Sequence, residues 1–295
     1  MLAAILSRTA FGKAIHEFQA IGFKLADMLT GTEAGGQHGV FVWDDAPSVT
    51  RRLLGAEAPL RHTEVWLLAS GCVVSTASVG PLQTESQSVE LGDAEEVRVE
   101  IAMGAGELEV TGGAEELLEA DFQYNVAELR PEVEYADGTL VVRQPETNGL
   151  PNLQNISDYR NEWDLRLYDE VPMDLSVDVG AGICTLQLAG LSLTGLDVRL
   201  GAGEYTIDLR GDWARDLNVS IEAGAASLTV QLPEDVGARV ELEAGPHTVD
   251  APGLTREGDF YTNAAYGASD VTLEIDLEMG IGEVNLEVGE AATAG

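Results

Sequence analysis

The chain has 295 residues, enough for one large domain or two ordinary ones with a full core, and 45% of it is hydrophobic, so disorder is not the default. Its 51 Asp and Glu against 16 Lys and Arg give a formal net charge of −35, which repels DNA, RNA and anionic lipid headgroups alike and excludes a nucleic-acid partner. Thirty-three glycines beside 6% aromatics point to tight, repeated turns.

The acidity is not evenly spread. Residues 1–72 carry six basic and seven acidic side chains, whereas 73–295 carry ten and 44. Both lysines, Lys13 and Lys24, and three of the four histidines, His16, His38 and His62, fall in the first part. Residues 1–72 are therefore expected to be separate from the folded body, poorly ordered or helical. They read as a targeting segment, a leader, or upstream sequence translated from a misplaced start. They end in Val65-Trp66-Leu67-Leu68-Ala69-Ser70-Gly71-Cys72, which resembles a bacterial lipobox. Small residues before a cysteine fit a signal peptidase, and the thiol then takes a diacylglycerol, so Cys72 is the expected lipidation site. The apolar run before it is short and is interrupted by His62 and Glu64, which leaves a buried cysteine as the alternative. No apolar stretch reaches the ~18 residues of a membrane-spanning helix, so contact with a membrane is expected only through the lipid. The second cysteine, Cys184, lies in a strand pattern; two cysteines in such different settings make neither a disulfide framework nor a CxxC metal motif.

After a linker at 73–87, residues 88–150 are expected to hold a first coil and a hairpin cap. The coil is Val99, Ile101, Met103, the corner Gly104-Ala105-Gly106, then Leu108 and Val110. The cap spans 118–145, with Phe122, Tyr124, Val133, Tyr135, an Asp137-Gly138 turn and Leu140-Val141-Val142 reading as an antiparallel hairpin. A loop around Gln144–Asn152 follows, and Trp163-Asp164-Leu165-Arg166-Leu167 reads as the strand entering the main array, with Trp163 and Trp213 as packing residues.

Residues 151–290 repeat with a period of 21, ahead of a short tail at 291–295. Leu175, Leu196, Leu217 and Ala238 form one column, Val177, Val198, Val219 and Val240 a second, and Val179, Leu200, Ile221 and Leu242 a third. A second strand gives Leu186, Ile207, Leu228 and Val249, then Leu188, Leu209, Val230 and Ala251. A step of 35 recovers Ile275, Leu277, Val284 and Leu286, so the last unit is expected to follow a 14-residue insertion. Between the strands lie corners at Gly180-Ala181-Gly182, Gly201-Ala202-Gly203, Glu222-Ala223-Gly224, Glu243-Ala244-Gly245 and Glu278-Met279-Gly280-Ile281-Gly282. Alternation on either side of a corner means a strand with one buried face, and a constant step means that like residues stack coil upon coil. The predicted fold is all-β, a single-stacked β-solenoid with 21-residue coils and a capping hairpin. One coil buries too little to offset its own ordering, so stacking must supply the rest, and five or six coils make a prism roughly 25–30 Å long.

The stretch from Met103-Gly-Ala-Gly-Glu-Leu-Glu-Val to Asp121-Phe-Gln-Tyr-Asn resembles the N-terminal part of the bacterial toast rack proteins. Trp163-Asp-Leu, Val171-Pro-Met-Asp-Leu, the glycine corners, Leu232-Pro-Glu-Asp-Val-Gly, Tyr261-Thr-Asn-Ala-Ala-Tyr-Gly and Gly280-Ile-Gly-Glu-Val are similar to the LiaF-like C-terminal β-solenoid of cell-envelope stress proteins. The resemblance covers about 88–290 and implies a surface or lipid-anchored envelope protein with no catalytic residues. The transmembrane helices that precede this domain in LiaF-like kinase regulators have no counterpart here.

The residues themselves offer little chemistry. The array has no lysine, few arginines and one histidine, His247, in a corner where a turn role is expected. The carboxylate pairs Asp174 with Asp178 and Glu274 with Asp276 alternate with apolar columns and should face solvent, as should the row Asp178, Arg199, Ser220, Glu241 and Asp276. Calcium on such a ladder is the rival to a solvated face, without the calcium-solenoid signature, and no catalytic residue, metal or cofactor is predicted. The insertion Thr255–Gly267 is the candidate recognition surface, with Phe260, Tyr261, Asn263 and Tyr266 facing a glycan or an envelope protein. Packing of its rings on the solenoid is the alternative. The expected function is a non-enzymatic, cell-surface, adhesin-like scaffold or sensing module. A carbohydrate-active enzyme and a self-associating structural protein are the rivals, and the acidity fits either high-salt adaptation or protection of exposed edges.

Overall fold

A computed structural model describes residues 79–145, 159–245 and 247–289, together with a two-residue antiparallel ladder of β1 (Thr9–Ala10) on β2 (Lys13–Ala14). The expectations for the rest of 1–72, Cys72 included, and for the 146–158 part of the loop lie outside the described residues. The body continues with β3 (Gln83–Val89), β4 (Val97–Thr111), β5 (Leu118–Tyr124), a single 3-10 turn (Ala127–Leu129), β6 (Glu132–Ala136), β7 (Thr139–Arg143) and β8 (Asn161–Leu167). The array follows as β9 (Met173–Gln187), β10 (Leu193–Asp208), β11 (Leu217–Pro233), β12 (Gly237–Ala244), β13 (His247–Asp250), β14 (Thr255–Glu257), β15 (Phe260–Thr262) and β16 (Thr272–Gly289). β3 to β16 form one mixed 14-stranded sheet, and the all-β solenoid expected from the repeat is the architecture observed.

The coils of β4, β9, β10, β11 and β16 are each one long strand bent at its corner, and β12 with β13 makes the two arms of another. The alternating buried positions of β9 and β10 follow the period of two that the sequence shows. β9 and β10 pair in parallel with Leu175 beside Leu196 and Val177 beside Val198, the 21-residue step. The next junction departs from that step. β10 and β11 pair with Leu196 beside Val219 and Ile207 beside Val230, a step of 23. Two further residues go into the 209–216 connection, where Trp213 folds back and its Nε1 donates to the Leu209 carbonyl at 2.8 Å. A shift of two keeps every side chain on its own face, so the core tolerates it. The corner in this coil is therefore Gly224-Ala225-Ala226, aligned with Gly201-Ala202-Gly203 and with Gly280-Ile281-Gly282, and not the segment beginning at Glu222.

The stacking order also departs from chain order. β16 lies between β11 and β12, pairing in parallel with both, so the last coil in sequence is the penultimate coil in space. Its step of 35 from β12 and β13 holds as expected, with Val240 beside Ile275 and Val249 beside Val284.

The first coil is capped on both arms. β6 and β7 form the expected hairpin through Asp137 (φ 52°) and Gly138 (φ 75°), the two positive-φ residues that a type I′ turn requires, and β7 lies parallel on the first arm of β4. β5 is not part of that hairpin; it runs antiparallel between β3 and β8. β8 covers the second arm of β4 and so caps the array instead of running into it. Trp163 on β8 is buried and meets Phe122 edge-on at 5.5 Å, while its Nε1 donates to Asn161 Oδ1.

Coils stack so closely at several corner glycines that a side chain has no room there. A Cβ at Gly182 would sit 1.9 Å from the Gly106 carbonyl oxygen, and Gly182 also has φ 131°. Gly182→Ala combines strain and overpacking, each worth roughly 1–3 kcal/mol, so a loss of about 2–6 kcal/mol in urea unfolding is expected. A loss under about 1 kcal/mol would show that the corner can open.

Candidate functional site

The segment predicted as a recognition surface caps the far end of the solenoid. β14 and β15 form a hairpin around Gly258 (φ 67°), and β15 lies antiparallel on β12 with Val240 beside Tyr261 and Glu241 beside Phe260. Alternation then decides which residues face outward. Tyr261 continues the inward column of Val240 and is 5% exposed, with the Arg256 guanidinium 5.3 Å from its ring centre. Phe260 is half-buried on the outer face under Arg239, whose guanidinium lies 4.0 Å above the ring and is held by Glu274 at 2.8 Å.

Asn263 is buried, and its side chain is committed to backbone. Its Nδ2 donates to the carbonyls of Pro233 at 2.9 Å and Val236 at 2.7 Å, and its Oδ1 accepts from the Ala238 N–H at 3.0 Å. Tyr266 is 39% exposed. The four predicted residues thus share one end of the molecule, but Tyr261 and Asn263 hold the hairpin in place, and Phe260 and Tyr266 keep surface for contact.

The 23-residue step rearranges the outward rows. Asp178 and Arg199 are followed by Glu222, Glu278 and Glu243, while Ser220 sits beside Asp276 and Asp276 beside Glu241. Among the described residues no three His, Cys, Asp or Glu side chains come together in a metal-holding group, and no helix is long and apolar enough to cross a membrane. His247 opens β13 beside Gly282. Cys184 is buried, and burial pushes its thiol up to about 12.

Two clusters at the opposite end escaped the sequence reading. In the first, Asn161 Nδ2 donates to the Ala105 carbonyl at 2.6 Å and to Gln144 Oε1 at 3.1 Å, and Tyr159 Oη donates to the same carbonyl at 3.0 Å. These groups satisfy the first corner, and Tyr159 and Asn161 with Gly106, Gly182 and the 46%-exposed Ile183 line an open groove of about 290 Å³. In the second, Arg130 grips Glu85 through Nε at 2.8 Å and Nη2 at 2.6 Å, with Gln87 and Tyr124 also donating. The Arg130 hydrogen bond, against the opposing effect of burial, holds Glu85 down at about 2, below its ordinary 4.5. A depressed carboxylate stabilises the fold above its unfolded value and loses that contribution as pH falls through the folded one. Glu85→Gln is therefore expected to flatten the fall of the urea midpoint between pH 4.5 and about 2 relative to the parent. Parallel curves for the two proteins would disprove the coupling.

A family profile described as "N-terminal domain of toast_rack, DUF2154" matches residues 78–231. Among solved structures, a "putative cell adhesion protein" from Clostridium sporogenes is 30% identical with a TM-score of 0.67, covering 71% of this chain and 100% of that one. A "putative adhesin" from Bacteroides fragilis aligns over 72% of this chain and 99% of its own at 11% identity and a TM-score of 0.29. No curated protein matches. With over half its length matched by the profile and a 30%-identical relative covered end to end, the chain belongs to the toast rack family.

Proposed function

We propose that this chain is a non-enzymatic, adhesin-like β-solenoid of the cell surface, tethered by lipid on Cys72, whose cap presents a contact surface to an envelope protein or a glycan. The observation that carries the reading is the likeness, over 71% of this chain, to the whole of the Clostridium sporogenes "putative cell adhesion protein", at 30% identity and a TM-score of 0.67. The geometry agrees with display rather than turnover. A stiff stack of coils holds Phe260, Arg239 and Tyr266 on its far cap, as a rigid scaffold holds binding residues on loops and turns. Chain order supports the tether, because Cys72 precedes β3, and β3 is the edge strand at the other end of the sheet. The cap would then point away from the membrane.

Two measurements test this. Expressed in a bacterium with its native upstream DNA, the product is expected in the membrane fraction with a mature mass beginning at diacylglyceryl-Cys72; an unprocessed soluble chain would remove the tether. Full-length protein on beads is expected to be retained on envelope glycan or protein arrays, with retention reduced about tenfold when Phe260 and Tyr266 are both changed to Ala, as for a small aromatic anchor. Retention that ignores the double change would place recognition elsewhere on the surface.

A further inference from the structure

β11 and β12 are consecutive in the chain and joined only by residues 234–236, yet β16 separates them in the sheet. The connection of β9 to β10, at 188–192, joins strands that do pair. Asn263, in the segment leading into β16, staples the 234–236 turn through the Pro233 and Val236 carbonyls and the Ala238 N–H. The turn is thus held open by the chain that fills it.

β11 has two sets of partners encoded for one edge. In the structure Leu217, Val219, Ile221, Leu228 and Val230 meet Leu273, Ile275, Leu277, Val284 and Leu286 of β16. At the 21-residue step the same five would meet Ala238, Val240, Leu242, Val249 and Ala251. Either partner presents apolar side chains inward, so β12 can re-pair the backbone of β11 when β16 withdraws. Outward charges press on β16 in its slot: Glu278 lies between Glu222 and Glu243, and Asp276 beside Glu241.

We propose that the slot between β11 and β12 is an interaction site for β16 of a second copy of this chain. β12 closes on β11 as β16 leaves, the slot reopens around the partner's strand, and two chains exchange their last long strands. The inference does not depend on the adhesive role. A net charge of −35 on each copy opposes approach, so exchange increases with ionic strength.

Full-length chains carrying Cys72→Ser test it, since Cys184 is buried with its thiol pushed up to about 12. Adjacent strands lie ~4.8 Å apart, within disulfide reach, whereas strands once removed lie ~9.6 Å apart, beyond it. One population carries Ser220→Cys and another Asp276→Cys, positions that are neighbours across β11 and β16. Mixed at low and high salt and then oxidised, they are expected to give a cross-linked heterodimer, more at high salt. Asn263→Ala removes the staple and is expected to raise the yield about tenfold. A single chain with Ser220→Cys and Glu241→Cys reports the closure of β12 on β11, and its disulfide is expected to block exchange. The proposal is overturned if mixed chains never cross-link while a single chain with Ser220→Cys and Asp276→Cys closes its own disulfide. It is equally overturned if Thr255→Cys, in the cap hairpin, replaces Asp276→Cys without loss of yield. Should Asn263→Ala not fold, the parent background decides alone.

Discussion

Backbone lying on backbone at the corners is the constraint from which the rest of the molecule follows. A Cβ at Gly201 or Gly203 would come 1.9 Å from the Gly180 or Gly182 oxygen, and one at Gly282 would come 1.8 Å from the Ala226 oxygen. At these glycines the contact leaves no room for a side chain, and it brings the two arms of each coil close enough for their side chains to meet. Once the corner is fixed, the inward rows are fixed as well. Val177, Val198, Ile221 and Leu277 become one buried column, and Cys184, Tyr205, Leu228 and Val284 another.

The charge sits outside this scheme. Among the described residues, ion pairs such as Arg98 with Asp174 and Arg143 with Glu132 are exposed on both partners, where such pairs contribute little. Arg210 with Asp208 is the more enclosed exception. Stability therefore rests on the apolar columns and ladder hydrogen bonds, and the acidic surface is left to govern how copies meet one another. Stacked carboxylates such as Glu222, Glu278 and Glu243 are a cost the columns beneath them must offset.

The two ends are closed by different means. At the first coil, separate strands cover the two arms, β7 on one and β8 on the other, and Asn161, Gln144 and Tyr159 satisfy the corner between them. At the far end the β14–β15 hairpin covers one arm, and Asn263 ties it to the β11–β12 turn. Both solutions depend on a buried amide bonding to main chain, a role that leaves no periodic trace in a sequence.

Local physics made much of this protein legible. Period-two alternation defined the strands, glycine pairs marked the bends, the 21-residue step named the solenoid, and Asp137-Gly138 gave the hairpin turn, because each depends on residues close in the chain. The tertiary structure decided what a repeat leaves degenerate. When several strands carry the same inward pattern, the sequence cannot say that β16 and not β12 covers β11, or that β11 slides by two residues, since all these choices bury the same faces. Nor could it divide the cap residues, because Tyr261 and Asn263 differ from Phe260 and Tyr266 only in which way the hairpin turns them, and that is set by the strand it lands on.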